Sequence, residues 1–441
     1  MKKIANESYR KIVAGLLKNP KAKLTLNINA VLVELLKRDG CFDVVLGLRK
    51  LSERGQIEFT DTAKYHAFLP LLPESEIIRQ IKLNHLTNRK YFGKSYNPVG
   101  LFPTEMGYAS KLTRVAKKLG YRWMIVDELA HPNHKDINRD TIYSLKGDPD
   151  LFFFFRERDI SFRILSAQVG ISVFSGRMLV DLLGPRLKTK NYMVTAMDGE
   201  TFGHHRPGLE QLLFDLYKAP EIQSVQLSEL PGLFSKRASI TPRASSWALM
   251  HKDIERNTPY SRWDDAGNPI HRAQWQLTYL AIKSVNNLKP ASKAYAKART
   301  ALDRSLHSDQ YWWASASPWW SIEMMEAGAK ELRDTIKLVP GLSKSTYAKA
   351  ESLYQTIVFT AFEWQRTGMV ENLAKQADED VTQRITAEMP YIPLKEFETI
   401  VGNLTRQMLQ AAKSREYERA AQIRDRVTEL NEKKAILTKK H

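Results

Sequence analysis

Residues 100–128 read GLFPTEMGYASKLTRVAKKLGYRWMIVDE. A short apolar segment ends at Glu105. Leu112, Val115, Ala116 and Leu119 then recur at helical spacing, which predicts a helix over Tyr108 to Leu119, closed by Gly120. Arg122 to Val126 is a second apolar strand candidate, ending in Asp127 and Glu128. Strand, helix, strand, with acids at both strand ends, is how an α/β protein builds a site at the carboxyl end of a parallel sheet. Such acids can also be solvated, or cap the next helix, so this stretch alone leaves the choice open.

Upstream, the same rhythm repeats. Residues 1 to 20 read as a helix, Lys23 to Ile28 as a strand, Asn29 to Lys37 and Phe42 to Glu53 as helices, and Gly55 to Phe59 as a strand. Glu74 to Leu86 is the helix leading into the opening stretch. Downstream, His131 to Asp140 is a polar insertion with His131 and His134 beside Asp136. These are metal-ligating residue types, but no third ligand is forced near them, and the loop reads as pocket lining. Asp148 to Phe155, DPDLFFFF, is apolar on both faces and so predicts a central strand; Arg156, Arg158 and Asp159 sit at its end. Asn191 to Met197 predicts another strand, ending in Asp198-Gly199-Glu200 and leading to His204 and His205. Leu209 to Lys218 is helical, and Ser224 to Leu227 reads as a further strand.

Ser245 to Asp265 is aromatic, polar and aperiodic, a cleft-lining loop carrying Trp247 and Trp263. Ile270 to Arg304 reads as one helix. His307 to Trp320, HSDQYWWASASPWW, gathers four of the nine tryptophans, Trp312 and Trp313 among them. They suit anchoring between helices, or stacking on sugar rings. Helices continue to about Lys375. Leu404 to Leu430 carries two apolar stripes separated at Ser414-Arg415-Glu416, a helical hairpin too small to be strongly stable alone. These signals divide the chain into 1–245, 246–380, a linker over 381–400, and a hairpin over 401–435.

Composition bounds the function. The 441 residues are 43% hydrophobic, and Cys41 is the single cysteine, so neither a disulfide framework nor a cysteine metal site is available. No run of about eighteen apolar residues occurs, so no membrane span is predicted, and a cytoplasmic protein is expected. The net charge of +18 permits an anionic partner, but lysine and arginine are scattered without a dense tract, and direct nucleic-acid binding is not expected. No glycine-rich phosphate loop, serine elbow or zinc-protease signature is present, and neither cofactor nor metal is predicted. Two carboxylates on different strand ends suit cleavage of an acetal, one attacking the sugar and the other protonating the leaving oxygen. Glu105 and Asp198 have the clearest placement for these roles. Metal-dependent deacetylation of a polysaccharide is a weaker reading, since the histidines have no recognisable ligand spacing.

Over roughly residues 5 to 370 the chain resembles glycoside hydrolase family 57, the α-amylase, 4-α-glucanotransferase and branching-enzyme group. The resemblance rests on the order of LFPTEMGYASKLTRVAKKLGYRWMIVDE, DGETFG, GQIEF, KYHAFLPLLP, LFFFFRERDISFRI, PYSRWDDAGNPIH and YWWASASPWW. It implies an incomplete (β/α)7 barrel followed by a helical domain, and retaining chemistry on α-glucans with Glu105 as nucleophile and Asp198 as general acid/base. It implies substrate-contacting roles for Glu58, His66, Asp127, Arg156, Asp159, His204, His205, Trp247, Trp263, Trp312 and Trp313. Family members begin with a strand carrying a histidine-rich motif; this chain starts in what reads as the following helix, so an open barrel edge is expected. LTRQMLQAAKSREYERAAQIRDRVTEL resembles a UVR domain, which implies protein–protein docking or self-association through residues 404–430. A catalytically impaired scaffold built on the same barrel is the alternative reading.

Overall fold

The computed structural model describes residues 1–165, 179–180, 183–206, 208–317, 319–377, 394–413, 415, 417–432 and 434–438. Strands β1 (Leu24–Asn27) and β2 (Ile57–Thr60) pair in parallel. A parallel bridge from Asp61 to Leu101 links this pair to β3 (Gly100–Leu101), which runs parallel to β4 (Trp123–Asp127). Strand β4 runs parallel to β6 (Asp148–Arg156), from Trp123 opposite Phe152 to Asp127 opposite Arg156. The first half of β6 pairs antiparallel with β5 (Thr141–Leu145), which pairs with β7 (Lys236–Ile240). At its last residue β6 turns from β5 to Val194, bridged in parallel by Arg156. The result is an α/β, incomplete-barrel fold in which a small hairpin peels away from the parallel run.

Residue alternation explains why β4 and β6 lie centrally. Trp123, Ile125 and Phe154 join one apolar cluster with Met106, Val194, Leu227 and Phe234. Met124, Val126, Phe153 and Phe155 join the larger cluster against the helices. A strand that is apolar on both sides must be covered on both sides. The helix predicted after Glu105 forms over Lys111–Leu119, and Gly120 closes it in the left-handed region, at φ 80°.

Three predicted elements differ. The 191–197 segment is extended but forms a single bridge rather than a strand, because the opposite edge of β6 is already occupied by β5 over its first half. Residues 224–227 are not a strand: Gln226 and Glu229 form a capping box that winds Leu227–Glu229 into a 3-10 turn. The turn packs beside β1, where Leu227 N–H donates to Thr25 Oγ1 (3.0 Å). The helix expected over 270–304 is two, Pro269–Asn286 and Lys293–Ser305, because Pro290 interrupts it and Ser292 caps the second.

The two long helices of the next layer, Ile322–Lys337 and Lys344–Arg366, share a continuous core with the barrel helices Glu74–Phe92 and Lys111–Leu119. A largely buried ion network pins the layers together. Arg79 grips Asp303 with two 2.7 Å bonds, and Arg299 reaches Glu76 (2.6 Å) and Asp303 (3.0 Å). The C-terminal hairpin pairs Leu394–Lys413 with Tyr417–Glu432 around Phe397, Leu404 and Leu430, and Arg415 between them sits at φ 61°. The break falls where the two apolar stripes separate in the sequence.

Candidate active site

Glu105 follows β3 on a 3-10 turn, Thr104–Met106, and both Glu105 and Met106 have positive φ, 60° and 48°. Non-glycine residues rarely adopt this conformation, and such strain concentrates at functional sites. Here packing enforces it: Met106 is wholly buried, and the backbone N–H of Trp247 donates to the Glu105 carbonyl (3.1 Å). The Trp247 indole N–H donates to the Glu105 carboxylate, and His66 Nε2 lies 3.5 Å from its other oxygen. His66 is itself strained, at φ 56°. Its ring is set by Ser308 Oγ at Nδ1 (3.0 Å), with Asp309 3.8 Å away.

Burial pushes the Glu105 carboxyl up to about 7; His66 opposes the rise, and the Asp198 charge adds to it. Asp198 is raised too, by the surrounding protein and then by Glu200, while His66, His205 and Arg156 pull it down. Asp198 is nevertheless solvent-accessible. The two acids thus share one electrostatic environment with His66. Asp309 resists the upward push of burial and ends below its ordinary value, through His307 and His66.

Asp127 is fully buried. Its carboxylate takes Arg156 Nη1 (3.3 Å), Arg158 Nη1 (2.9 Å) and the Leu129 N–H (3.1 Å). It has no surface to offer a sugar, and its place is beneath the site. Arg156 donates from Nε to Ala196 O (2.8 Å) and lies 5.7 Å from the Trp247 ring centre, while Arg158 donates to the carbonyls of Trp247 and Leu249. Burial lowers Arg156 to about 10. The ion triad therefore holds the chain segments that carry Asp198 and Trp247.

The remaining predicted residues divide. Ser228 and Thr25 hold the Glu58 carboxylate, and burial raises it. Trp263 has no exposed surface and stacks on Phe68 at 4.6 Å, so it anchors the core and cannot stack on a ring. Trp312 and Trp313 are half-buried, and exposed Trp319 approaches both, with ring centres at 6.2 and 5.7 Å. Asp159 is exposed in the first turn of the Arg158–Leu165 helix. His204 pairs with Glu7 (2.5 Å) and packs against exposed His205. His131 is buried against Tyr143 and Phe155, and His134 meets Arg243; among the described residues no group of three candidate metal ligands forms. Sequence reading passed over Ser308 and Asp309. Their signal stood beside the tryptophans, in HSDQYWW.

Among curated proteins, the α-amylase of Pyrococcus horikoshii is 30% identical over 128 residues, 29% of this chain and 20% of that protein. Alpha-amylase 1 of Dictyoglomus thermophilum is 27% identical over 122 residues, 27% of this chain and 17% of its own length. The matched stretch thus spans a fifth or less of these relatives. Among solved structures, the branching enzyme of Thermococcus kodakaraensis superposes with a TM-score of 0.62 at 16% identity, covering 80% of this chain and 90% of that one. The branching enzyme of Pyrococcus horikoshii gives 0.60 at 17%, covering 89% and 93%. The 4-α-glucanotransferase of Thermococcus litoralis gives 0.57 at 16%, covering 76% and 56%. At these identities the likeness is one of fold. The UvrB/uvrC motif matches residues 398–433, which contain most of the hairpin. The model of glycosyl hydrolase family 57 matches residues 1–233, more than half of the 441, and the chain belongs to that family.

Proposed function

We propose that the chain is a retaining glycoside hydrolase or transglycosylase acting on α-glucans, with Glu105 as nucleophile and Asp198 as general acid/base. The observation that carries this is the strained Glu105 turn, its carboxylate held by the Trp247 indole and flanked by His66, with Asp198 in the same field. In the first step a Glu105 oxygen bonds to the anomeric carbon as the glycosidic bond breaks, and the Asp198 proton passes to the departing oxygen. In the second, Asp198 takes a proton from water or an acceptor hydroxyl, which attacks the same carbon and frees Glu105. Water gives hydrolysis, a sugar hydroxyl gives transfer.

The scheme needs Glu105 ionised and Asp198 protonated. Burial raises both carboxyls, Glu105 to about 7, and the two titrate as a coupled pair. His66 and the Trp247 indole N–H both favour the ionised form of Glu105 against the push of burial. The half-buried Trp312 and Trp313 and the exposed Trp319 give the short helix beyond Asp309 an aromatic surface suited to sugar rings. A cytoplasmic setting, resting on the free, buried Cys41, is part of the proposal.

Trapping with a fluorinated glycosyl fluoride tests the assignment. The added mass should map to the peptide containing Glu105, and Glu105→Gln should abolish both labelling and turnover of maltooligosaccharides. Label on another carboxylate would sink the assignment. A second reading gives the hairpin a docking or self-association role, because Leu409 and Tyr417 are 60% and 67% exposed beside a core of a few side chains. It predicts that the full chain is larger in solution than a Leu409→Asp/Tyr417→Asp variant.

A further inference from the structure

Asp198 stands on a turn with two supports. Upstream the support is the sheet: Glu157 N–H donates to Val194 O (2.7 Å), and Arg156 Nε to Ala196 O (2.8 Å). Downstream it is the N-terminal segment, nearly two hundred residues away in sequence. Ser8 Oγ donates to Gly199 O (2.7 Å), the Tyr9 hydroxyl donates to the Glu200 carboxylate, and Glu7 Oε2 pairs with His204 Nδ1 (2.5 Å).

Three consecutive side chains of an ordinary helix do not share a face. Here Ala5–Tyr9 is a single π-helical turn set into the N-terminal helix, a local widening that recurs at functional sites. Glu7, Ser8 and Tyr9 all reach the one turn. The backbones are in direct contact as well. Gly203 sits at φ 110°, and a Cβ added there would lie 2.0 Å from the Glu7 carbonyl oxygen. Further along the helix Lys11 pairs with Glu210 (2.7 Å), and Gly15 leaves room for the Phe214 ring, which an added Cβ would meet at 1.9 Å. The Glu210–Lys218 helix, which follows the turn, is therefore docked on the same N-terminal helix.

We propose that this π-turn is the positioning element for Asp198, with Glu7, Ser8 and Tyr9 fixing the turn that presents the carboxyl to the cleft. They are positioning residues and touch no reacting atom. The proposal rests on Asp198 being the general acid/base.

The test is a Glu7→Gln/Tyr9→Phe variant of the full chain. Lys18→Ala serves as the control, since Lys18 is exposed at the far end of the same helix. A sugar leaving group needs a proton from Asp198, whereas a dinitrophenolate does not. The double variant should lose about tenfold or more in kcat/KM on a maltooligosaccharide and no more than about twofold on the dinitrophenyl α-maltoside. The control should match wild type on both. Equal losses on the two substrates, no loss, or an equal loss in the control would overturn the proposal. Hydrogen exchange over residues 198–206 gives a readout independent of turnover. It should accelerate in the double variant alone, and unchanged exchange would overturn the positioning role. A wild-type chain inert on both substrates would defeat the catalytic reading, and the exchange measurement would still decide this one.

Discussion

At the scale of single residues the candidate active site is built at the expense of stability. Glu105 is held in a left-handed turn and raised by burial to about 7 from an ordinary 4.5. A carboxyl raised on folding binds more protons in the folded state than in the unfolded one between those values. Its favourable contribution is full below about 4.5 and is lost as pH rises through about 7. Glu105→Gln removes that penalty. The variant should be more stable than wild type above pH 7, by on the order of 2–3 kcal/mol, and about equal to it near pH 4.5. Urea denaturation at the two pH values measures this; a variant less stable at high pH would contradict the burial argument. Asp127 works in the opposite sense. Asp127→Ala leaves Arg156 and Arg158 buried without their shared carboxylate and should cost about 3–5 kcal/mol by the same method. The sequence made Glu105 legible through its place after an apolar segment and before a helix. It could not show that Asp127, equally well placed, faces two arginines and no solvent. Nor could it show that His66 and Ser308 meet, because that contact joins residues 242 apart.

At the scale of elements, legibility followed apolar patterning. Apart from β5, the strands and helices that alternate through residues 1–156 were readable because each turns apolar side chains inward. Strands β5 and β7, TIYSL and KRASI, were not. β7 in particular keeps most of its residues exposed and forms by backbone pairing to β5, which leaves no hydrophobic signature. The 191–197 segment misled in the other direction, apolar enough for a strand but left one bridge on β6. Close packing at β3 was also hidden. A Cβ on Gly100 would fall 2.2 Å from the Trp123 ring, which is buried and tethered by its N–H to Ser228 Oγ (3.0 Å). Gly100→Ala should therefore cost about 1–3 kcal/mol and disturb the Glu105 turn a few residues on, raising KM as well as lowering thermal stability. A variant with wild-type melting would show that the Trp123 ring can move aside.

The whole molecule raises the question of how many units unfold. Composition shifts suggest boundaries near residues 245 and 380, yet the largest core runs without interruption from Ile77 and Leu112 to Met325 and Ile357. The buried Arg299–Glu76 pair and the half-buried Arg79–Asp303 pair cross the same junction. Separating those layers would expose apolar surface and strand buried charges together, so residues 1–377 should unfold as one cooperative body. The hairpin has its own small cluster, Phe397, Leu404 and Leu430, and so little buried surface predicts low stability. Hydrogen exchange in dilute denaturant should thus show residues 394–432 exchanging first, while the helices Glu74–Phe92 and Ile322–Lys337 keep matched protection until a shared transition. Arg299→Ala should lower that transition for both helices alike. Protection lost from one helix well before the other would mean that the ion network joins two separately stable bodies, and that the continuous core does not make them one.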